Sequence, residues 1–151
     1  TNMLSLQDAM VIYTTPDLVD TIREFRKHAR NRTHIVPIHL KDTRMATSYD
    51  AAFWKAQNVL DPERARHTDV RLYWIWNEKV EFLHRTVHSN PFQSIFWAWV
   101  DIGYFRTTAY NGKQMLRYVP DTLLPDQVLM LDPRLFPLTT IDIRCMKKNT
   151  Q

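Results

Sequence analysis

Asp101 and Gly103 are the first candidates for ligand chemistry in this chain, because both follow the apolar run of residues 95–100. A carboxylate at the end of a buried strand can coordinate a hard cation such as Mg²⁺ or Mn²⁺, and it can accept hydrogen bonds from ribose hydroxyls. A glycine two residues later lets a ligand approach the backbone closely. The structural alternative is that Asp101 caps a turn or pairs with Arg106.

A second candidate is the sequence Trp-Asn-Glu-Lys at residues 76–79, which falls at or near the start of a predicted helix. Exposed backbone N–H groups at a helix start, together with Lys79, could hold a phosphate group. The alternative is that Trp76 anchors the core, while Asn77, Glu78 and Lys79 form a solvated helix end. The sequence leaves both open.

Other kinds of catalytic site find little support. His84 and His88 stand four residues apart, but Arg85 replaces the glutamate that follows the first histidine in zinc proteases. Cys145 is the only cysteine, which excludes an internal disulfide and a cysteine-based zinc site. No Gly-x-Ser-x-Gly motif occurs, and no residue stands out as a catalytic base.

Positive charge is concentrated in and just after the first predicted helix. The residues are Arg23, Arg26, Lys27, His28, Arg30 and Arg32. The whole chain has 20 Lys and Arg against 16 Asp and Glu, a net charge of +4 that suits an anionic partner. The same cations would also complement the dipole at a helix C-terminus, so charge alone does not identify the partner.

The 151 residues include two glycines, Gly103 and Gly112, where average usage would give roughly ten. This deficit excludes glycine-rich phosphate loops and dinucleotide-binding fingerprints, which need several glycines close together. The chain also has no run of about eighteen apolar residues, so no membrane span is expected in this segment. Its length favours a single domain.

Hydrophobic patterning predicts a strand, a helix and a second strand in the first 40 residues. Residues 10–14 form the first strand, a helix continues to about residue 30, and residues 33–40 form the second strand. The apolar face of the helix is predicted to consist of Leu18, Ile22 and Phe25. This order of elements is typical of a parallel α/β sheet.

Two more helices and a third strand are predicted beyond residue 48. The helices cover residues 49–60 and 70–88 and end at Asp61-Pro62 and Asn90-Pro91. Apolar residues recur along one side of each helix, namely Ala52, Phe53, Ala56 and Leu60 in the first, and Trp76, Val80, Leu83 and Val87 in the second. Residues 95–100 read as a strand buried on both faces. Farther on, residues 127–131 and 139–144 are candidate short strands.

Several of these segments resemble, in order, motifs of the HtrL/YibB family. They are residues 49–57, Leu60-Asp61-Pro62-Glu63 with His67, residues 72–79, residues 90–94 and residues 96–106. The resemblance covers residues 10 to 106 and rests on an Ile-Trp-Asn-x-Lys helix, an Asn-Pro-Phe turn and a Trp-x-Asp-x-Gly strand end. Three motifs in the same order are more specific than any one of them.

The resemblance implies a GT-A fold, a Rossmann-like α/β domain with a mostly parallel sheet flanked by helices. Asp101 would occupy the place of the first acid of the Asp-x-Asp signature, contacting the donor ribose or a divalent metal, Mn²⁺ or Mg²⁺. Gly103 stands where the second acid would be. Asn77 and Lys79 would face the donor, and Lys79 and Arg106 would offset the charge of the diphosphate.

The expected function is that of a glycosyltransferase, which moves a sugar from a nucleotide-sugar donor to a glycan or glycoconjugate acceptor. Residues 1–151 would form a single partial GT-A domain, truncated at both ends, and nucleic acid is not an expected partner. The compartment stays open between the secretory lumen and the cytoplasm. The alternative is a non-catalytic module whose basic first helix docks on nucleic acid or an anionic glycan.

Overall fold

The fold begins with two parallel strands. The computed structural model describes residues 2–104, 108 and 113, and within them β1 (Met10–Thr14) pairs with β2 (Thr33–Pro37). Met10 lies opposite Thr33, and Thr14 lies opposite Pro37. The predicted parallel pairing is therefore confirmed. The second strand ends at Pro37 instead of residue 40, because its partner β1 ends at Thr14, whose carbonyl still accepts from the N–H of Ile38 at 2.8 Å.

The two strands are connected by α1 (Val19–Phe25) and two 3₁₀ helices, Pro16–Leu18 and Lys27–Arg32. The predicted helix to residue 30 is thus interrupted. Ala29 adopts φ −130° and ψ 33°, which lies outside the helical region. Of the predicted apolar face only Ile22 is buried, whereas Leu18 and Phe25 are exposed.

Arg26 is a core residue, although its charge placed it in the predicted basic cluster. Its side chain is almost fully buried, and it donates hydrogen bonds to the carbonyls of Leu6 at 2.5 Å and Asp8 at 2.8 Å. It also donates to the hydroxyl of Thr33 at 2.9 Å. Arg26 therefore joins the segment before β1 to the start of β2.

Three helices follow, namely α2 (Arg44–Ser48), α3 (Ala51–Leu60) and α4 (Arg71–Ser89). The last two confirm the helices predicted at residues 49–60 and 70–88 to within two residues. The carboxylate of Asp50 caps α3 by accepting from the N–H of Phe53 at 2.8 Å. Asn90 ends α4 in the left-handed conformation, with φ 35°.

The apolar stripes predicted for α3 and α4 are not the faces that the structure buries. In α4 the buried residues are Tyr73, Glu78, Phe82 and Thr86, while the predicted stripe of Trp76, Val80, Leu83 and Val87 is exposed or half-buried. In α3 only Trp54 is buried, and the predicted residues Ala52, Phe53, Ala56 and Leu60 are exposed. The buried face of α4 contacts β1, where Tyr13 stacks on Phe82 and donates to its carbonyl at 3.1 Å.

Residues 95–100 do not form the predicted strand. They follow a turn in which the Asn90 side chain accepts from the N–H of Ser94 at 2.8 Å and donates to its carbonyl at 3.0 Å. The apolar side chains of the run make separate contacts instead, with Val100 packed against the core pair of Leu6 and Met10. The apolar character of the run reflects these contacts and not a sheet ladder.

The described residues are thus mixed α/β, with one two-stranded parallel sheet. The chain divides into two units, residues 1–115 and 116–151, and the second unit lies outside the described residues. The same is true of Arg106, Gly112, Cys145 and the candidate strands at 127–131 and 139–144. The Rossmann-like GT-A fold and the single partial domain stay predictions. No helix in residues 2–104 is long and apolar enough to cross a bilayer.

Candidate functional site

Lys79 and Asp101 come together in an ion pair across a separation of 22 residues. The ammonium Nζ of Lys79 lies 2.8 Å from Oδ1 and 3.0 Å from Oδ2 of Asp101. The indole N–H of Trp99 donates to Oδ1 at 3.1 Å, and Nζ lies 5.8 Å from the centre of the Trp99 ring. We call Lys79, Trp99 and Asp101 the Lys79–Asp101 cluster.

Aromatic stacking connects this cluster to β1. Trp99 stacks on Phe82 of α4 with ring centres 6.2 Å apart, and Phe82 stacks on Tyr13 with centres 4.3 Å apart. Tyr13 is the second-to-last residue of β1. Val100 packs against the core pair that includes Met10, the first residue of β1, so these contacts place the cluster beside β1 without assigning it to one end of the strand.

The carboxylate of Asp101 is charged and accessible. The hydrogen bond from Lys79, with a smaller contribution from Trp99, holds the pKa of Asp101 below its ordinary value of 3.8. The Asp101 side chain is 62% exposed and that of Lys79 is 26% exposed. A ligand can therefore reach the carboxylate, which has lone pairs left to accept hydrogen bonds from hydroxyl groups. It can also reach the third N–H of the ammonium, because the other two point to the Asp101 oxygens.

The structure does not bring Asn77 into this cluster. Its side chain donates to the carbonyl of Tyr73, one turn earlier on α4, at 2.8 Å. Two residues on a helix differ by about 200°, so Asn77 and Lys79 project from opposite sides of α4. Because α4 already begins at Arg71, residues 76–79 lie inside the helix and offer no free helix N-terminus to a phosphate. The helix-start hypothesis for phosphate binding is therefore wrong. The alternative of a solvated helix end is wrong for Glu78, which is buried.

Gly103 lies in the turn that follows Asp101, where the N–H of Tyr104 donates to the Asp101 carbonyl at 2.9 Å. A Cβ atom added at Gly103 would meet no atom within 4 Å. Packing within the described residues therefore does not require a glycine here. Its predicted role, close approach of a ligand to the backbone, stays a prediction.

The donor set around Asp101 does not fit a divalent cation. Both carboxylate oxygens already accept a hydrogen bond from Lys79 or Trp99. The ammonium of Lys79 contacts both oxygens and would repel a metal cation bound there. Mg²⁺ needs about six oxygen ligands in a near-octahedral arrangement. Within the part of the chain that the structure describes, no three His, Cys, Asp or Glu side chains are placed to hold a metal ion. Lys79 supplies the positive charge at this position.

A second polar cluster was not selected as a site from the sequence. The Oδ2 atom of Asp61 accepts from the hydroxyl of Tyr73 at 2.6 Å and lies 2.7 Å from Nδ1 of His67. The N–H of Glu63 donates to Oδ1 at 2.7 Å. We call Asp61, His67 and Tyr73 the Asp61–His67 cluster. The sequence signal for this cluster is the segment Leu60-Asp61-Pro62-Glu63 with His67, which belongs to the family resemblance and contains two of the three residues.

Acid sensitivity should depend on Asp61. The hydrogen bonds from Tyr73 and His67 lower the pKa of Asp61 from 3.8 to about 2. A carboxyl group with a lowered pKa stabilises the fold above its unfolded value, and this stability is lost as the pH falls from 3.8 towards 2. We expect Asp61→Asn to lose less stability than the wild type between about pH 5 and pH 2 in urea unfolding. Tyr73→Phe should raise the folded-state pKa of Asp61, so that the acid loss is smaller and is complete at a higher pH than in the wild type. Identical curves for all three proteins would contradict this assignment.

Comparison with known protein families gives a match over nearly the whole chain. Residues 1–149 match the model of a family described as "Bacterial protein of unknown function (HtrL_YibB)". No curated protein and no solved structure matches the chain. The family match covers the Lys79–Asp101 cluster, the Asp61–His67 cluster and the segments that suggested the resemblance. The chain belongs to the HtrL/YibB family of bacterial proteins.

Proposed function

We propose that this protein binds a nucleotide sugar at the Lys79–Asp101 cluster and acts as a glycosyltransferase. The proposal depends mainly on one observation, the direct contact of Lys79 with Asp101. The two residues belong to different motifs and suit two complementary roles towards a nucleoside diphosphate. Their contact brings both roles to one place beside β1.

Each member of the cluster suits one part of such a donor. The ammonium of Lys79 offsets the charge that develops on the departing diphosphate, which is the main requirement for this kind of transfer. The Asp101 carboxylate accepts hydrogen bonds from ribose hydroxyls. Trp99 is 40% exposed and presents an aromatic surface to an apolar part of the ligand. Because Lys79 provides the charge, the proposal needs no metal ion at Asp101.

Replacing Lys79 tests the proposal. We expect Lys79→Met to raise the Kd of the bound nucleotide sugar roughly 10-fold to 100-fold, as the loss of one charge-assisted hydrogen bond does. The measurement is calorimetric titration of the full-length natural protein with UDP-, GDP- and ADP-sugars in EDTA. Wild-type binding should be the same with EDTA as with Mn²⁺.

The matched control for this experiment is Lys55→Met, which removes an exposed lysine from α3. It should leave the Kd unchanged within about two-fold. Equal Kd values for wild type and Lys79→Met would refute the assignment of Lys79. Binding that needs Mn²⁺ and is lost in EDTA would refute the metal-independent form of the proposal.

The alternative, a basic module that docks on a polyanion, has less support. Arg26 is buried in the core, and two of its neighbours pair with acids on the same helical segment. Arg23 lies 2.8 Å from Asp20, and Lys27 lies 2.5 Å from Glu24. This surface is therefore of mixed charge, and the cleft of about 520 Å³ that it forms is lined by Asp20 and Glu24 as well as by Arg23, Lys27 and Arg30.

A further inference from the structure

In the part of the chain that the structure describes, one ring nitrogen of His67 is hydrogen-bonded and the other is not. Its Nδ1 lies 2.7 Å from the charged Asp61 carboxylate, which can only accept, so Nδ1 carries the hydrogen. The neutral ring then keeps its lone pair on Nε2. Within residues 2–104 no protein group hydrogen-bonds to this nitrogen. This is the tautomer that a general base requires.

The position of His67 is also held from other sides. The side-chain amide of Asn58 donates to the His67 carbonyl at 2.8 Å and to the Tyr73 hydroxyl at 3.0 Å. The ring of Trp76 meets the imidazole edge to face, with centres 4.9 Å apart. The His67 side chain is nevertheless 20% exposed. An accessible imidazole whose Nδ1–H donates to a carboxylate is the arrangement in which histidine acts as a general base.

His67 lines a cleft of about 330 Å³, a volume within the usual range of small-molecule sites. The lining includes the apolar side chains of Leu72 and Ile75. Its charged side chains are all ion-paired, Asp69 with Arg71 at 2.5 Å and Arg66 with Glu63 at 3.3 Å. Paired charges beside apolar side chains suit a neutral, hydroxylated molecule such as a sugar better than an ion.

The helix α4 contributes residues both to the cleft and to the Lys79–Asp101 cluster. Trp76, which contacts His67, precedes Lys79 by three residues on α4. Three residues correspond to a rise of about 4.5 Å, and side chains at this spacing are neighbours on the helix surface. A sugar acceptor in the cleft and a donor at Lys79 would therefore bind to adjoining parts of α4.

We propose that His67 is the general base that takes the proton from an acceptor hydroxyl, and that the acceptor in the cleft is a sugar. This inference rests on the proposed glycosyltransferase function. The hydroxyl proton moves to Nε2 of His67 and the oxygen bonds to the anomeric carbon of the donor. The bond from that carbon to the diphosphate oxygen breaks, and its electron pair leaves with the nucleoside diphosphate. Asp61 is a positioning residue that stabilises the imidazolium, and this single displacement inverts the anomeric configuration.

The test measures donor binding and turnover separately in the full-length natural protein. Turnover is the release of nucleoside diphosphate from the donor that binds, in the presence of a panel of free monosaccharides. We expect His67→Gln to keep the donor Kd within about two-fold and to slow turnover by about 10²-fold to 10⁴-fold. His84→Gln, which removes an exposed histidine near the other end of α4, should leave turnover unchanged.

A second variant separates catalysis from folding. In His67→Ala, added imidazole should restore part of the lost turnover, because the small base can enter the space left by the side chain. Loss of turnover without any rescue, or wild-type turnover in His67→Gln, would overturn the role of His67 while leaving donor binding intact. If the wild type binds no nucleotide sugar, the proposed function fails, and this inference fails with it.

Discussion

Replacing Arg26 with methionine should lower the free energy of unfolding by about 3–5 kcal/mol, as breaking a buried network around a charge does. The side chain is 1% exposed and satisfies the carbonyls of Leu6 and Asp8 and the hydroxyl of Thr33. Methionine has similar length and fills the space without donating to them. Urea unfolding followed by circular dichroism measures the loss.

The control for this prediction is Arg23→Met on the preceding turn. Arg23 and its partner Asp20 are 68% and 92% exposed. An exposed pair of this kind contributes roughly 0–1 kcal/mol, so the variant should unfold almost as the wild type does. Similar losses for Arg23→Met and Arg26→Met would mean that Arg26 is not the core residue described above.

Replacing Glu78 with leucine should lower the free energy of unfolding by about 2–4 kcal/mol, because buried donors would lose their partner. The carboxylate is fully buried and accepts from the N–H groups of Arg44 at 3.1 Å and Met45 at 2.8 Å. These are the first N–H groups of α2, which the side chain of Thr43 does not cap. Glu78 thus caps α2 from α4 and, at the same time, holds the rotation of α4 that directs Lys79 to Asp101.

Two related variants check this role by the same denaturation measurement. Glu78→Gln keeps one acceptor oxygen and should lose less stability than Glu78→Leu. Glu81→Gln, on the next turn of α4, weakens pairs with the more exposed Arg44 and Arg85, and should cost at most about 1 kcal/mol. A larger loss in Glu81→Gln than in Glu78→Leu would contradict the capping role.

The order and bounds of the elements were largely predictable because the chain marks them with strong local signals. Asp61-Pro62 and Asn90-Pro91 end α3 and α4 close to the predicted positions. The packed faces were not predictable in the same way. Arg26 and Glu78 are charged and would ordinarily lie in solvent, but each is buried by partners distant in sequence. Hydrophobic periodicity cannot detect such partners.

The candidate site shows the same division. Lys79 and Asp101 could be selected from motifs, whereas their contact depends on the turn at Asn90 and on the stacking of Trp99 against Phe82. The turn is marked locally by Asn90-Pro91, whereas the stacking has no local signal. The apolar run before Asp101 predicts a strand because its side chains are bulky and branched. Segments that pack by side chains alone have the same composition, so the sequence does not distinguish the two.

Spectra of the Trp99 indole during a donor titration test the central claim most directly. Its N–H donates to Asp101 and lies beside Lys79, so its ¹H–¹⁵N resonance reports on the Lys79–Asp101 cluster itself. We predict a saturable shift of this resonance with a nucleotide sugar, in EDTA, while the resonance of the buried Trp54 stays in place. A Trp99 resonance that is unchanged at saturation, or a full set of nucleotide sugars that leaves every indole resonance unmoved, would contradict the proposal.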